Sequence, residues 1–316
     1  MTDVLVTRDL ELHHKTAKGQ LRAVDGISIR IAPGETLGLV GESGCGKSTL
    51  ARCIVGINRP TGGSLQVAGV DGLRPDRFAR ARAVQMVFQD PSGALNPRLS
   101  VERIIEEPLR VHGIGNRAQR KAQVLDLARK VGLSDYHLER LPHELSGGQR
   151  QRVSIARALA LNPALLVCDE AVSALDVSVQ AQVLNLFITL QKELGLTYLF
   201  ISHDLSVVRY ISHRIAVMYL GRIVEIGPAE AVWHRRAHPY TRALVSAIPD
   251  ESVRSDDSAL LEGDVPSPIN PPSGCTFRTR CPYARAHCAA QSPALRDIGG
   301  GLQVACHYAE EFALPV

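Results

Sequence analysis

The stretch between residues 41 and 49 has the residue types and the spacing of a phosphate-binding loop. Gly41 and Gly46 have four residues between them, and Lys47 and Ser48 follow directly. Glycines allow backbone N–H groups to approach phosphate oxygens, a lysine reaches the β- and γ-phosphates, and a serine hydroxyl can ligate Mg²⁺. The stretch therefore predicts a site for a nucleoside triphosphate with Mg²⁺, formed by Gly41, Ser43, Gly44, Cys45, Gly46, Lys47, Ser48 and Thr49.

Two carboxylates directly follow an apolar run at positions 164–168. They are Asp169 and Glu170, and such a run is typical of a strand buried on both faces of a parallel sheet. The carboxyl end of such a strand faces the ligand site of an open α/β sheet. Asp169 is placed to hold Mg²⁺ through water, and Glu170 to polarise the water that attacks the γ-phosphate. The alternative is that the two acids have only a structural role.

A glutamine and a histidine follow two further apolar runs. Gln89 comes after residues 84–88, and His203 comes after residues 198–202. A carboxamide at the carboxyl edge of a strand can meet Mg²⁺ or the attacking water, and an imidazole can bond the γ-phosphate. Taken alone, either side chain would be an ordinary surface or core residue. Their position at strand ends favours a part in the same chemistry.

The residues from Leu145 to Gln149 form a second candidate anion site, about 100 residues after the first. Ser146 is a favourable N-cap residue, and the two glycines after it leave backbone N–H groups accessible at a helix start. The apolar periodicity of a long helix follows. The pattern predicts anion binding by Ser146, Gly147, Gly148 and Gln149.

Several segments must position these residues. Residues 36–40 are typical of a short buried strand that leads into the loop, and residues 50–55 of the helix that follows it. Residues 4–31 contain two alternating apolar segments, which predict antiparallel strands. From about residue 101 to 141, apolar residues recur every three or four positions. This spacing predicts a helical insertion packed on an α/β core.

His13 and His14 lie between the two predicted N-terminal strands. An aromatic ring at this place could stack on adenine, and an imidazole could do so more weakly. An ordinary solvent-exposed histidine pair fits the same two residues equally well.

Composition sets the broad class of the protein. The chain has 316 residues, of which 45% are hydrophobic and 22% charged, and its formal net charge is +4. These values are typical of a globular protein with a sizeable core, and the charge is too small to indicate nucleic acid. The arginines at positions 74, 77, 80 and 82 are interpreted as a solvated face. Because no apolar run is long enough to cross a bilayer and no signal peptide begins the chain, any membrane association should go through a partner.

Four of the seven cysteines crowd the last segment, with five, six and seventeen residues between them. The segment is rich in Pro, Gly and Arg and has little apolar periodicity, so a metal cross-link would offset its chain entropy. Four thiolates suit either tetrahedral zinc or an iron–sulfur cluster, and the spacing, which lacks C-x₂-C pairs, suits the larger cluster better. Free thiols are the third possibility. The candidate ligands are Cys275, Cys281, Cys288 and Cys306.

With these residues in place, the chain resembles the ATP-binding subunits of ABC transporters. Six motifs of that family coincide in order: Walker A, Q-loop, signature, Walker B, D-loop and switch histidine, here Gly41–Thr49, Gln89, Leu145–Gln149, Asp169–Glu170, Ser173–Asp176 and His203. Further stretches are similar to the oligopeptide, dipeptide and nickel importers, whose members carry a C-terminal extension: residues 88–91, 95–98, 179–186, 238–241 and 266–272.

The resemblance implies an α/β fold of the P-loop NTPase (ABC ATPase) type with an antiparallel β subdomain. It places the nucleotide-binding domain at residues 1–235, with a helical subdomain over about 93–150. A small cysteine-rich extension with the four-cysteine site follows at residues 236–316, and some members of the family carry a [4Fe–4S] centre there. A structural role for such a cluster is expected, since ATP hydrolysis requires no electron.

The resemblance also implies partners. Two such ATPase subunits, identical or paralogous, would sandwich two ATP molecules, each between the Walker motifs of one subunit and the signature of the other. Asp176 would couple the two sites. Closure on ATP would drive two transmembrane permease subunits, served by an extracytoplasmic substrate-binding protein, so the chain is expected at the cytoplasmic face of the inner membrane. No nucleic acid is expected.

Two positions depart from the family pattern. Ala171 stands where a proline usually follows the catalytic glutamate, so Glu170 should be held less rigidly. His14 stands where an aromatic residue usually stacks on adenine, which weakens the expectation of tight adenine binding.

Three functions remain open at this point. The chain is expected to be the ATP-hydrolysing subunit of a membrane importer for di- or oligopeptides, and nickel or another small solute is an alternative cargo. A cytosolic ABC ATPase acting on ribosomes or DNA is a second possibility, but the chain lacks a second ATPase unit and a long coiled coil. A binding module that does not hydrolyse ATP is a third, and the presence of Glu170 and His203 disfavours it.

Overall fold

The computed structural model describes residues 2–73, 76–248 and 263–313. Its largest element is an eight-stranded sheet with the order β12-β13-β11-β10-β4-β9-β8-β7. The five strands from β10 to β7 run parallel, whereas β11, β12 and β13 pair antiparallel. The strands are β4 (Thr36–Val40), β7 (Val84–Val87), β8 (Leu165–Asp169), β9 (Thr197–Ser202), β10 (Arg214–Tyr219), β11 (Arg222–Pro228), β12 (Arg296–Asp297) and β13 (Gln303–Val304).

A second sheet forms the predicted antiparallel subdomain. It has the order β2-β1-β5-β6, and β3 also pairs with β1. Its inward side chains, such as Leu10, Val24 and Ile27, are fully buried, as expected when one face of an antiparallel sheet covers a core. The strands are β1 (Leu5–Thr16), β2 (Gly19–Ile27), β3 (Arg30–Ile31), β5 (Gly62–Val67) and β6 (Val70–Asp71).

Helices cover the main sheet and form the predicted insertion between β7 and β8. Within it, α4 packs against α5 and α7, and a 3₁₀ turn at Pro142–Glu144 precedes α7. The helices are α1 (Lys47–Val55), α2 (Arg77–Ala83), α3 (Pro91–Ala94), α4 (Val101–Val111), α5 (Arg117–Lys130), α6 (Asp135–Leu138), α7 (Gly147–Leu159), α8 (Val177–Leu194), α9 (Leu205–Ile211), α10 (Ala229–Arg235), α11 (Pro239–Ser246), α12 (Ala286–Ala290) and α13 (Ala309–Phe312). In the described part of the chain, no helix is both long and apolar enough to span a membrane.

The main sheet lies between two apolar cores, and successive residues of its strands point into different ones. In β8, Leu165 and Val167 pack in the core shared with α1 and the antiparallel sheet. Leu166 and Cys168 pack in the core that contains the helical insertion. All four are fully buried. Because both faces of these strands are covered, their sequences are continuous apolar runs, which is why the sequence alone locates them.

The C-terminal extension is joined to the main sheet. Its strand β13 pairs with β11, and its Phe277 is buried with the ring centroid 5.3 Å from that of Tyr219 and 5.4 Å from that of Tyr240. Hydrogen bonding and aromatic packing therefore cross the predicted boundary at residues 235 and 236. The boundary itself stays a prediction.

The interpretation of the arginine run as a solvated face is wrong for Arg80. Its side chain is buried, and it donates hydrogen bonds to the backbone carbonyls of Cys53, Ile54 and Gly72. Burial lowers the pKa of its guanidinium. Two backbone carbonyls in the last turn of α1 and one directly after β6 provide the polar partners that make this burial tolerable. Arg74 lies outside the described residues.

Two buried titratable groups meet where β11 approaches the start of α11. The Glu225 carboxylate accepts hydrogen bonds from the backbone N–H groups of Ala237 (3.1 Å) and His238 (3.0 Å). The Nδ1 atom of His238 accepts one from the N–H of Tyr240 (3.0 Å) and so caps α11. Burial raises the pKa of Glu225 to about 7 and lowers the pKa of His238 to about 3.

We expect Glu225→Gln to change the pH dependence of stability. Because its pKa is higher in the folded state, protonated Glu225 contributes to the free energy of unfolding. This contribution is at its maximum below the unfolded pKa of 4.5 and is lost as the pH rises to about 7. Relative to wild type, the free energy of unfolding of the variant should therefore rise by roughly 3 kcal/mol between pH 4.5 and 7. Chemical unfolding at several pH values measures this difference.

The control for this experiment is His238→Asn, which keeps a capping side chain but does not titrate. Because the pKa of His238 is lower in the folded state, its contribution to the free energy of unfolding grows as the pH rises from 3 to 6.5. The stability of this variant relative to wild type should therefore fall over that range. A pH-independent difference for Glu225→Gln would contradict the role of the buried carboxylate.

Candidate nucleotide site

The predicted phosphate-binding loop lies between the carboxyl end of β4 and the first residue of α1. Gly44 has φ 80° and Gly46 has φ 108°, in the left-handed region that favours glycine. A Cβ on Gly46 would lie 2.1 Å from the carbonyl oxygen of Ala23, and one on Gly41 would lie 2.2 Å from that of Met218. The loop can therefore approach its neighbours only with glycine at these positions, which leaves the α1 N-terminus open to an anion.

Lys47 is buried at the start of α1, and its ammonium group is held by the loop itself. Its Nζ atom donates to the carbonyl oxygens of Gly41 (2.6 Å) and Glu42 (3.0 Å). The neighbouring Ser48 hydroxyl donates to Oδ1 of Asp169 at 3.0 Å. Burial raises the pKa of Asp169, and the hydrogen bond from Ser48 opposes that shift. The serine oxygen and the carboxylate thus form a pair of hard oxygen donors of the type that Mg²⁺ prefers.

Glu170 lies at the centre of the predicted catalytic group. Its Oε2 atom accepts a hydrogen bond from Nε2 of Gln89 at 2.9 Å and lies 3.5 Å from Nδ1 of His203. The backbone of Glu170 has φ 48°, and both its N–H and its C=O are hydrogen-bonded, to Ile201 and Ser173 respectively. A left-handed residue other than glycine is sparsely populated and is found often at functional sites. The carboxylate therefore has two side-chain neighbours and the backbone two hydrogen-bond partners, and the effect of Ala171 on the rigidity of Glu170 stays a prediction.

One cavity of about 320 Å³ contains the phosphate-binding loop together with Gln89 and Glu170, whereas Asp169 and His203 do not line it. It is lined by the loop residues from Ser43 to Thr49, by Gln89 and Glu170, and by Leu21, Arg22, Ala23, Gly221 and Pro268. His14 is exposed on β1 and does not line it. Pro268, which the prediction missed, accepts a hydrogen bond from the N–H of Arg22 through its carbonyl. The run of prolines at 266–272 was the available signal, because it marks a rigid loop.

The predicted second anion site lies at the start of α7. The Ser146 hydroxyl accepts a hydrogen bond from the N–H of Gln149, and the Gln149 side chain accepts one from the N–H of Ser146, which is a capping box. His137, which the prediction missed, lies with Nε2 3.0 Å from Nε2 of Gln149. Ser146 is exposed, as is Asp176 at the N-cap of α8. None of these residues lines the cavity that contains Lys47.

The four cysteines of the extension lie near one another, but their side chains do not have the arrangement of a metal site. Burial, and to a lesser degree the charges of Cys275, Cys281 and Cys288, raise the pKa of Cys306 to about 12. The N–H of Cys275 donates to the carbonyl of Cys288 at 2.8 Å. Over residues 2–73, 76–248 and 263–313, no group of three or more His, Cys, Asp or Glu side chains is arranged to hold a metal ion. The geometry therefore does not support the predicted iron–sulfur or zinc site.

Comparison with known sequences covers nearly the whole chain. Residues 24–173 match the family described as ABC transporter, and residues 224–288 match the oligopeptide/dipeptide transporter C-terminal region. The chain is 54% identical over 297 residues to a probable peptide ABC transporter ATP-binding protein of Sinorhizobium fredii, covering 93% of this chain and 84% of the relative. It is 51% identical over 308 residues to the oligopeptide transport ATP-binding protein of Escherichia coli, covering 92% of each.

Known structures confirm the fold. A dimeric ATP-binding cassette in a post-hydrolysis state with ADP and phosphate is 28% identical, with a TM-score of 0.65 over 71% of this chain and 98% of the other. A subunit of an ABC transporter complex of Clostridium perfringens gives a TM-score of 0.66 at 28% identity, over 73% of this chain and 91% of the other.

These matches agree with the geometry described above. The P-loop core, the antiparallel subdomain and the helical insertion are those of an ABC ATPase, and the matched C-terminal region follows them. The chain belongs to the ATP-binding, ATP-hydrolysing subunits of ABC transporters, in the branch that carries the oligopeptide/dipeptide transporter C-terminal region.

Proposed function

We propose that ATP is hydrolysed in the cavity at the start of α1 and that this hydrolysis powers the import of short peptides. The observation that carries the proposal is the convergence of Lys47, the Ser48–Asp169 pair and Glu170 with Gln89 on one sheet edge. The groups follow the ends of three strands: Lys47 and Ser48 follow β4, Gln89 follows β7, and Asp169 and Glu170 lie at the end of β8. A parallel sheet brings such ends together, so their chemistry can act on one ligand.

The residues take distinct roles in this proposal. Lys47 exchanges its loop carbonyls for the β- and γ-phosphates of ATP. Ser48, Asp169 and Gln89 supply the oxygens that would hold Mg²⁺, which neutralises charge on the phosphates when bound. Glu170 accepts the proton of the attacking water, and Gln89 and His203 orient its carboxylate. His203 is also exposed enough to donate to the γ-phosphate.

We propose that the site is completed by a second ATPase subunit. The capped N-terminus of α7 is built for an anion but does not line the cavity of its own chain. A head-to-tail partner would bring its Ser146 and the glycines after it to the γ-phosphate, and Asp176 would lie near the junction. The similarity to a cassette described as dimeric supports this arrangement.

The cargo and the remaining partners follow from the relatives. Their names refer to peptide, oligopeptide and di/tripeptide transport. We therefore propose docking on two permease subunits at the cytoplasmic face of the inner membrane, with an extracytoplasmic binding protein delivering peptides. The test is uptake by proteoliposomes that contain the whole complex. ATP-dependent uptake of a labelled dipeptide or oligopeptide supports the proposal, whereas uptake of Ni²⁺ without any peptide transport contradicts the cargo.

We further propose that the loaded extension holds a [4Fe–4S] cluster on Cys275, Cys281, Cys288 and Cys306. The support is the chemistry of the donors: the four thiols lie close enough for Cys275, Cys281 and Cys288 to raise the pKa of Cys306, and a cationic centre would stabilise all four as thiolates. The spacing of these cysteines in the sequence is wide and contains no C-x₂-C pair of the kind common in zinc sites. A cluster accepts wider spacing because iron and sulfide lie between its ligands.

We expect protein purified without oxygen to be brown and to contain iron and acid-labile sulfide. Cys281→Ser should remove both, because it removes one of four ligands. Cys45→Ser, which changes a buried thiol outside the extension, should keep the iron content of wild type. Colourless protein with stoichiometric zinc and no sulfide would contradict the cluster and assign the four ligands to zinc.

A further inference from the structure

An acidic residue occupies the loop that is built to bind a polyanion. Glu42 stands between Gly41 and Ser43, and its side chain is about a quarter exposed. Its backbone carbonyl is one of the two oxygen acceptors of the Lys47 ammonium group. A carboxylate this near the phosphates of ATP opposes their binding unless an opposite charge cancels it, because Coulomb repulsion is only partly screened at a half-buried site.

The cancelling charge comes from the far end of the chain. Arg280 of the C-terminal extension donates from Nη1 to Oε2 of Glu42 at 2.6 Å and from Nη2 to Oε1 at 3.0 Å. Its side chain is only 5% exposed. Bidentate arginine–carboxylate pairs fix both partners in one geometry, and water competes weakly for a pair this buried. The pair joins residues 238 positions apart.

Aromatic side chains hold the arginine and the loop in place together. The Tyr240 hydroxyl accepts the backbone N–H of Glu42 at 2.8 Å. The ring centroid of Tyr219 lies 4.8 Å from that of Tyr240 and 6.0 Å from the guanidinium carbon of Arg280. Both rings are fully buried. The carboxylate and the N–H of Glu42 are therefore both tied to this packed group, which leaves its carbonyl oxygen to face Lys47.

We propose that Arg280 is a positioning residue for the nucleotide site, which neutralises Glu42 and so keeps the phosphate-binding loop receptive to a triphosphate. This inference rests on the proposed ATP site. It makes the extension part of the nucleotide-binding machinery, since the loop's electrostatics depend on a residue that the ABC ATPase core does not contain. Arg280 acts through Glu42 and does not touch the reacting atoms.

The test is a double-mutant cycle on the full chain, with binding of a fluorescent ATP analogue in the presence of Mg²⁺ as the readout. Arg280→Gln should weaken binding about tenfold, because it leaves an unpaired carboxylate beside the phosphates. Adding Glu42→Gln to that variant should restore the affinity to within about threefold of wild type, because the repelling charge is gone. In the assembled transporter, the KM for ATP should rise in Arg280→Gln while kcat stays within about twofold.

Two further variants keep the test decisive. Arg285→Gln is the matched control, because Arg285 forms a similar bidentate pair with Glu311 at the surface of the same extension, and it should bind like wild type. Arg280→Lys keeps the charge and is a milder change if Arg280→Gln does not fold, and it should lose less than about threefold. Native affinity in Arg280→Gln overturns the inference. So does a tenfold loss in Arg280→Lys, or a double variant as weak as the single one, since either makes the arginine a structural anchor only.

Failure of this inference differs from failure of the proposed site. Lys47→Ala should abolish binding of the same analogue if the loop is the ATP site. If Lys47→Ala binds like wild type, the proposed site is wrong. If Lys47→Ala loses binding while Arg280→Gln does not, the site stands and only the role of Arg280 falls.

Discussion

Replacing Glu170 by glutamine in every copy of this subunit should lower the rate of ATP hydrolysis of the assembled transporter by about a hundredfold or more, the usual contribution of a general base. A carboxamide has nearly the shape of the carboxylate and can still accept the hydrogen bond from Gln89. It cannot take a proton from the attacking water. The affinity for ATP should stay within about threefold of wild type, because only an interaction made in the transition state is lost.

The experiment compares steady-state hydrolysis with binding of ATP in the same preparations. Glu230→Gln is the control, since it makes the same chemical change in a surface pair with Arg209, and it should hydrolyse ATP like wild type. Lys47→Ala should instead lose binding, because in the proposed site its ammonium group exchanges the loop carbonyls for the phosphates. Near-normal hydrolysis in the Glu170→Gln complex would reject the assignment of the base.

The second large effect is expected from Ser146→Arg. In the proposed dimer, this exposed helix start faces the γ-phosphate held by the other subunit, so a long side chain should block closure. Turnover of the assembled transporter should fall by about a hundredfold, comparable to the loss of a donor in a transition-state site. The isolated chain should bind ATP like wild type, because Ser146 does not line its own cavity.

Two variants show whether the added arginine itself is the cause. Ala118→Arg places the same side chain on an exposed position of α5 in the same helical subdomain and should leave turnover unchanged. Ser146→Ala removes the capping hydroxyl without adding bulk, and it should cost about 1 kcal/mol of stability. Full turnover from Ser146→Arg, or loss of ATP binding by the isolated chain, would contradict a site shared between subunits.

Local sequence patterns predicted most of the fold and located many residues of the candidate site. The strands of the main sheet are buried on both faces, so their apolar runs and the polar residues at their ends are visible in the sequence. This is why the sequence alone predicts that Gln89, Asp169 and Glu170 lie at the same edge of the main sheet. The cap at Ser146 was visible for a similar reason, since its partner Gln149 is only three residues away.

The failures have a different physical origin. The ties from Arg280 and Tyr240 to the phosphate-binding loop join residues far apart in the chain, and no periodicity predicts such a pair. The burial of Arg80 was not predicted because it depends on hydrogen bonds to carbonyls at the end of another helix. His14 was assigned from its place in the family pattern; it lies outside the cavity wall, to which β2 and Pro268 contribute, and its stacking on adenine stays a prediction. The cysteine spacing suggested a centre whose ligand geometry the fold does not form on its own.

The attachment of β13 to β11 has a consequence for how this protein avoids aggregation. Without the extension, β11 would be the last strand of the sheet, with the N–H and C=O groups on its outer side unpaired along residues 223–226, of which all but Glu225 are apolar. An open edge of this kind is a template for pairing with another chain. A chain cut after residue 235 would also lose Tyr240 and Phe277, and so uncover the ring of Tyr219 that both of them cover. The extension therefore covers an edge strand of the main sheet and should prevent its pairing with other chains.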